Sequence, residues 1–313
     1  MERYANCIFY YVPPLIIILI NAVLFYKLHF EQSTTLRILN DNSSLVNFND
    51  VQPTHQNHNR YAFATLVTPA FAMGAVVLGS QLRSFHADKY DLICIISQDV
   101  NDTWRSILSQ WWKVIPVKEY RPMMHFRRSW MKLYVLDMEE YNKIVYLDTD
   151  IFVTKPIDEL FTFPQLSCVP DVNPPQICNT GVLVIEPKNG TFEKIDHLAR
   201  VEKIRMGIGD QSSINAFFKK FTPLPPEYNS PRTIEPGLGH LIELNKSKNI
   251  HFVCKKPWKC GRENMNCGCG YFEFNKLWWD AWDEACKDHI CMESWLEFKA
   301  TKKPKPTKKN KNK

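Results

Sequence analysis

The chain has 313 residues, 45% apolar and 13% aromatic, enough to bury one large core. Its net charge of +6 is unevenly spread: seven lysines (302, 303, 305, 308, 309, 311 and 313) follow Lys299 with no acid among them, and removing them from the 39 basic residues leaves 32 against 33 acidic. The body is therefore no polycation, which argues against a nucleic-acid-binding protein, and residues 299–313, with Pro304 and Pro306 among the lysines, read as a disordered, solubilising tail.

Residues 1–7 precede a run without charge, Ile8–Tyr26, in which Asn21 is the one strongly polar side chain. A helix of that length spans roughly the 30 Å hydrocarbon core, and Pro13 and Pro14 fall in its first turns, where missing N–H groups cost least. The run is long for a cleaved signal peptide and lacks a clear small-residue cleavage site, so it reads as a signal anchor. Flanking charges (Glu2 and Arg3; Lys27, His29 and Glu31) do not set its orientation. The Asn-x-Ser/Thr triplets at Asn42, Asn101, Asn189 and Asn245 all follow it and favour a lumenal body. The expectation is a single-pass type II protein of the Golgi or endoplasmic reticulum membrane. Residues 27–58, rich in Asn, Ser, Thr, Gln and His, form a flexible stem, and 59–298 the folded domain. Ten cysteines suit the oxidising lumen. Cys94 reads as a buried thiol and Cys7 borders the membrane; Cys168, Cys178, Cys254, Cys260, Cys267, Cys269, Cys286 and Cys291 supply up to four disulfides, a better fit than a zinc site from Cys260, Cys267 and Cys269.

From Tyr61 strand and helix alternate: strands at 61–67, 91–97 and 114–117, helices at 75–85, 102–111 (capped by Asp102 or Thr103) and 130–138. Ile144 to Leu147 then reads as a strand buried on both faces in a parallel sheet. It ends in Asp148-Thr149-Asp150, at the carboxyl edge where open α/β sheets bind ligands. In an extended segment both carboxylates point the same way, so they can face one divalent cation, with a diphosphate as its further ligand. The second half is less regular: a strand at 178–186 entered through Asn179-Thr180-Gly181, helices at 192–204 and 212–219 with Asp210 at the head of the latter, a short strand at 249–253 carrying His251, and a long helix at 275–298 whose tryptophans 278, 279, 282 and 295 read as core. Taken singly, His251 reads as a core histidine, Asp210 as a helix cap and Asn179-Thr180-Gly181 as a turn.

In their order, Phe63-Ala-Thr-Leu-Val-Thr68 with Gly74–Ser80, Lys132-Leu133 ahead of Asp148-Thr149-Asp150, Asp158–Phe161, Asn179–Val182, Gly209-Asp210-Gln211 and His251–Trp258 resemble glycosyltransferase family 8, the glycogenin-like retaining enzymes. Lys256–Cys260, Cys267 and Trp278-Trp279 are similar to the plant-type glucuronosyltransferase branch. The resemblance implies a Rossmann-like mixed α/β sheet of the nucleotide-diphospho-sugar transferase type, in a single catalytic domain. It implies that Asp148, Asp150 and His251 hold Mn²⁺, with Mg²⁺ as the alternative, and that Thr149 belongs to the same donor-binding segment. Lys256 and Lys132 would add positive charge at the diphosphate or sugar. Leu66, Thr68 and Phe71 match the uridine pocket, and Asn179, Thr180, Gly181, Asp210 and Gln211 the donor sugar and reaction centre. The implied partners are a UDP-sugar donor, a glycan or glycolipid acceptor and a second copy of the chain; the membrane is the further partner, through the anchor.

Three departures stand out. Phe71 occupies a tyrosine position, Cys254 replaces a glycine near the diphosphate, and no tyrosine lies between Tyr228 and Tyr271, where glycogenins carry the tyrosine they glucosylate. The expected function is metal-dependent, retaining transfer from a UDP-sugar (glucuronic acid, glucose or galactose) to a separate acceptor. The rival readings are an inactive, glycan-binding homologue and a self-glucosylating primer enzyme.

Overall fold

The structure, a computed structural model, describes residues 60–118, 128–171, 177–201, 209–231, 246–264, 266–267, 273–287 and 291. The expected anchor (8–26), stem and tail lie outside them, as do Asn42, Asn245 and Trp295. Among the described residues no helix is long and apolar enough to cross a membrane.

A seven-stranded sheet has the order β3-β2-β1-β4-β7-β6-β8. Four strands, β1 (Tyr61–Val67), β2 (Asp91–Ser97), β3 (Lys113–Val117) and β4 (Lys143–Leu147), run parallel. β7 (Cys178–Ile185) pairs antiparallel with β4, and β6 (Ser167–Pro170) antiparallel with β7; β8 (Thr222–Pro223) then runs parallel to β6. The sheet is thus mixed, and β4 has a parallel neighbour on one side only. Ile144 to Leu147 are nonetheless fully buried, because helices cover both faces.

Alternation along β1 sorts its side chains. Phe63 and Val67 join α1 (Ala72–His86), Trp104 and the tryptophans of α5 (Glu273–Ala285) on one face. Ala62, Ala64 and Leu66 join Trp130, Leu133, α3 (Thr191–Val201) and α4 (Asp210–Phe218) on the other. Each fully buried aliphatic or aromatic side chain contributes about 1.5–3 kcal/mol. Trp278, Trp279 and Trp282 are buried as core, while the helix carrying them ends at Ala285, short of the expected Phe298.

Other local differences have simple causes. The helix at 102–108 (α2) is capped by Asn101, not Asp102 or Thr103, since the Asn101 side-chain Oδ1 accepts the Trp104 N–H at 2.9 Å. The expected helix at 130–138 is a 3-10 segment, Ser129–Asp137, whose Trp130, Met131, Leu133, Val135 and Leu136 are all buried; packing, not helical propensity, holds it. A small second sheet, β5 (Ile151–Val153), β10 (Asn249–His251) and β9 (Ser230–Pro231), brings His251 opposite Ile151. Disulfides join Cys168 to Cys178 and Cys260 to Cys267; Cys254 is also disulfide-bonded, and Cys94 is a buried thiol.

Candidate active site

The site forms beyond the carboxyl end of β4. Asp148 to Asp150 is not extended there: the Ile151 N–H bonds the Asp148 carbonyl at 2.9 Å, closing a turn. The chain must reverse into β5, so the carboxylates converge through the turn rather than through strand alternation. β10 pairs antiparallel with β5 and delivers His251 to the same point. Asp148, Asp150 and His251 each offer a ligand atom within 4.8 Å of the others. Two carboxylates and an imidazole are a donor set for a divalent metal ion. Close approach here demands glycine: a Cβ on Gly181 would lie 2.6 Å from His251 Cε1, and one on Gly74 2.3 Å from the Thr149 carbonyl oxygen.

Two lysines balance the carboxylates. Lys132, 5% exposed, reaches Asp148 Oδ1 at 3.1 Å and Asp210 Oδ2 at 2.8 Å. Burial opposes its charge, but the two carboxylates outweigh burial and raise its pKa. Lys256 donates to Asp150 Oδ2 and to the Phe252 carbonyl. Burial pushes the Asp150 carboxyl up, yet His251 and Lys256 together hold it well below the usual carboxylate range. For Asp148 burial wins: Lys132 does not fully offset it, Asp150 adds repulsion, and the pKa rises. The Tyr146 hydroxyl donates to Asp148 Oδ1 at 2.9 Å; its phenol pKa lies well above normal through burial and that carboxylate.

The other expected residues extend this cluster. Thr180 Oγ1 donates to Asp210 Oδ2 at 2.9 Å, and the Thr180 N–H to Gln211 Oε1 at 3.2 Å. Gln211 and Asn179 both donate to Asp171 Oδ2, at 2.9 and 3.1 Å. Asp210 thus opens α4 without capping it, the cap position being Gly209, and its carboxylate faces the lysine instead. Leu66 and Thr68 close the end of β1, next to β4, and Thr149 is buried against Gly74. Phe71 meets the Trp258 ring edge-on at 6.0 Å and lies under Lys259 Nζ at 4.7 Å. Thr68 stands apart, making no side-chain hydrogen bond to the cluster among the described residues.

Sequence reading missed Tyr146, Asp171 and Asn229. Tyr146 had a signal, since it sits two residues before Asp148 on the same side of the chain. Asp171 and Asn229 had none; they meet Asn179 only in space.

The mixed sheet, with this cluster beyond the carboxyl end of β4, has the fold of known glycosyltransferase structures. Solved structures share this fold: the glycosyltransferase GlyE of Streptococcus pneumoniae TIGR4 (TM-score 0.56, 21% identity, over 80% of this chain and 66% of that one) and the galactosyltransferase LgtC (TM-score 0.57, 15% identity, over 75% and 99%). The model of glycosyl transferase family 8 matches residues 63–260. Glycogenin-1 of Mus musculus is 30% identical over 249 residues, covering 70% of this chain and 74% of the mouse protein. A putative UDP-glucuronate:xylan alpha-glucuronosyltransferase 5 of Arabidopsis thaliana is 29% identical over 218 residues, covering 65% of this chain and 37% of the plant protein. The chain belongs to glycosyl transferase family 8 and is a hexosyl- or glucuronosyltransferase.

Proposed function

We propose that the chain is a retaining, Mn²⁺-dependent transferase that moves a sugar from a UDP-sugar to a separate glycan or glycolipid acceptor in the secretory lumen. The observation that carries this is the convergence of Asp148, Asp150 and His251 on one point, beside the buried Lys132–Asp210 pair. The three ligand residues would hold Mn²⁺, with Mg²⁺ as the alternative. When bound, the ion supplies positive charge where negative charge builds on the departing diphosphate.

The chain's own residues do the rest. Lys256, already at Asp150, adds charge at the diphosphate. Lys132 fixes Asp210, while Thr180 and Gln211 orient the floor on which the donor sugar lies. Leu66, Thr68 and Phe71 would receive the uridine. Glucuronic acid, glucose and galactose are the candidate sugars; the plant relatives, named for UDP-glucuronate, favour the first and the glycogenins the second.

The absence of tyrosine between Tyr228 and Tyr271 supports transfer to a separate acceptor. The disulfides and the exposed turn at Asn189 support an oxidising, glycosylating compartment, and the 8–26 run a membrane anchor.

The test offers a panel of UDP-sugars to the purified chain with Mn²⁺ or with chelator. Metal-dependent release of UDP from one donor is the expected result. Failure to turn over or bind any donor would leave the glycan-binding homologue in its place, and intact-mass gain on the enzyme itself would restore the self-glucosylating reading.

A further inference from the structure

Asn229 lies between the turn Pro226–Tyr228 and β9, 4% exposed. Its side chain bridges two parts of the site. Oδ1 lies 2.8 Å from His251 Nδ1, and Nδ2 donates to Asn179 Oδ1, also at 2.8 Å.

The orientation of this amide follows from its neighbours. Asn179 Oδ1 already accepts the Gly181 N–H at 3.0 Å, and Asn179 Nδ2 is given to Asp171. The atom facing Asn229 is therefore an acceptor, and Asn229 must present its NH₂ to it. That leaves Oδ1, which only accepts, for the imidazole. Nδ1 of His251 then carries a proton, and Nε2 is the nitrogen turned toward Asp150 Oδ1, 3.4 Å away. A ligating imidazole held through its other nitrogen has a fixed ring plane and tautomer.

We infer that Asn229 is a positioning residue that aims His251 Nε2 at the cation site and ties that site to the donor-sugar site through Asn179. The inference rests on the reading of Asp148, Asp150 and His251 as cation ligands. One amide thus sets two sites: its oxygen serves the metal side and its nitrogen the sugar side. The two functions are separable by substitution. Asn229→Leu removes both bonds. Asn229→Asp keeps an acceptor for the imidazole but turns an oxygen toward Asn179 Oδ1.

The test measures Mn²⁺ affinity by electron paramagnetic resonance of the free ion, together with kcat and KM for donor turnover, in the wild type and both variants. Thermal unfolding confirms that each is folded. Asn229→Leu is expected to weaken Mn²⁺ binding about 10- to 100-fold. Asn229→Asp is expected to bind Mn²⁺ within about threefold of the wild type, the ordinary scatter of such contacts, yet to lose at least about tenfold in kcat/KM, the factor that 1.4 kcal/mol corresponds to.

A wild type that binds Mn²⁺ beside an Asn229→Leu variant that binds it equally well overturns the inference alone. A wild type that binds no Mn²⁺ overturns the metal reading and this inference with it. Loss of Mn²⁺ in Asn229→Asp, or full turnover by it, also overturns the inference. If Asn229→Leu does not fold, Asn229→Asp decides by the same two readouts.

Discussion

Strand β4 carries charge at both ends, and the two ends treat it differently. At its amino end, the largely covered Lys143 reaches the exposed Glu186 at 3.3 Å, and nearby Arg60 pairs with Asp91 at 2.8 Å, the Arg60 and Asp91 side chains 49% and 42% exposed. Water shares the work of solvation there. At the carboxyl end, Lys132 sits between Asp148 and Asp210. Lys132 and Asp210, with side chains 6% and 10% exposed, are withdrawn from water and depend on one another, on the partly exposed Asp148 or on a ligand. The same residue types hold the surface together at one end and build a site at the other; what separates them is solvent.

The largest expected contrast is in activity. Asp150→Asn removes one ligand charge at the buried end and should lower donor turnover by at least about 10³-fold, several kcal/mol of transition-state stabilisation, with the circular dichroism spectrum unchanged. Retained turnover would show that the buried carboxylates are structural. Next, Lys132→Met strips the cation from two carboxylates and should cost about 3–5 kcal/mol in urea unfolding. A loss below about 1 kcal/mol would mean that water reaches the pair and that the contrast between the ends is false.

A milder effect comes from His86, buried and stacked on Phe63 at 5.1 Å, whose Nε2 finds no hydrogen-bond partner among the described residues. Burial lowers its pKa, opposed by Asp158 and assisted by Lys89. The unfolded chain then binds more protons in mild acid, so its contribution is full above about pH 6.5 and is lost as the pH falls through the lowered folded value. The wild-type melting temperature should drop between pH 7 and pH 5 by more than that of His86→Phe; equal drops would place the acid sensitivity elsewhere. The smallest change is Arg60→Ala at the exposed end, within about 1 kcal/mol by the same unfolding measurement.

Much of this was legible in the chain. Tyr61–Val67 and Asp91–Ser97 appear at their expected bounds, because continuous β-branched and aromatic runs have few alternatives to a buried strand. The metal-ligand candidates were visible as Asp148-Thr149-Asp150 with a distant His251. Other features depended on contacts that no local pattern encodes. The 3-10 form of Ser129–Asp137 follows from packing, and the antiparallel entry of β7 beside β4 from topology.

By itself the sequence determined the alternation of strand and helix, the buried central strand and the residue types that close it, since hydrophobic periodicity and the cost of buried charge act locally. Only the tertiary structure decided which charges neutralise which. Lys132 and Asp148 are 16 residues apart, Thr180 and Asp210 30, and Asp150 and Lys256 106. Their pairing depends on the turn after β4, the reversal into β5 and the return of β10, and Asn229 gains its meaning only where those segments meet. Electrostatic partnership is set by distance in space and by the exclusion of water, and neither can be read along the chain.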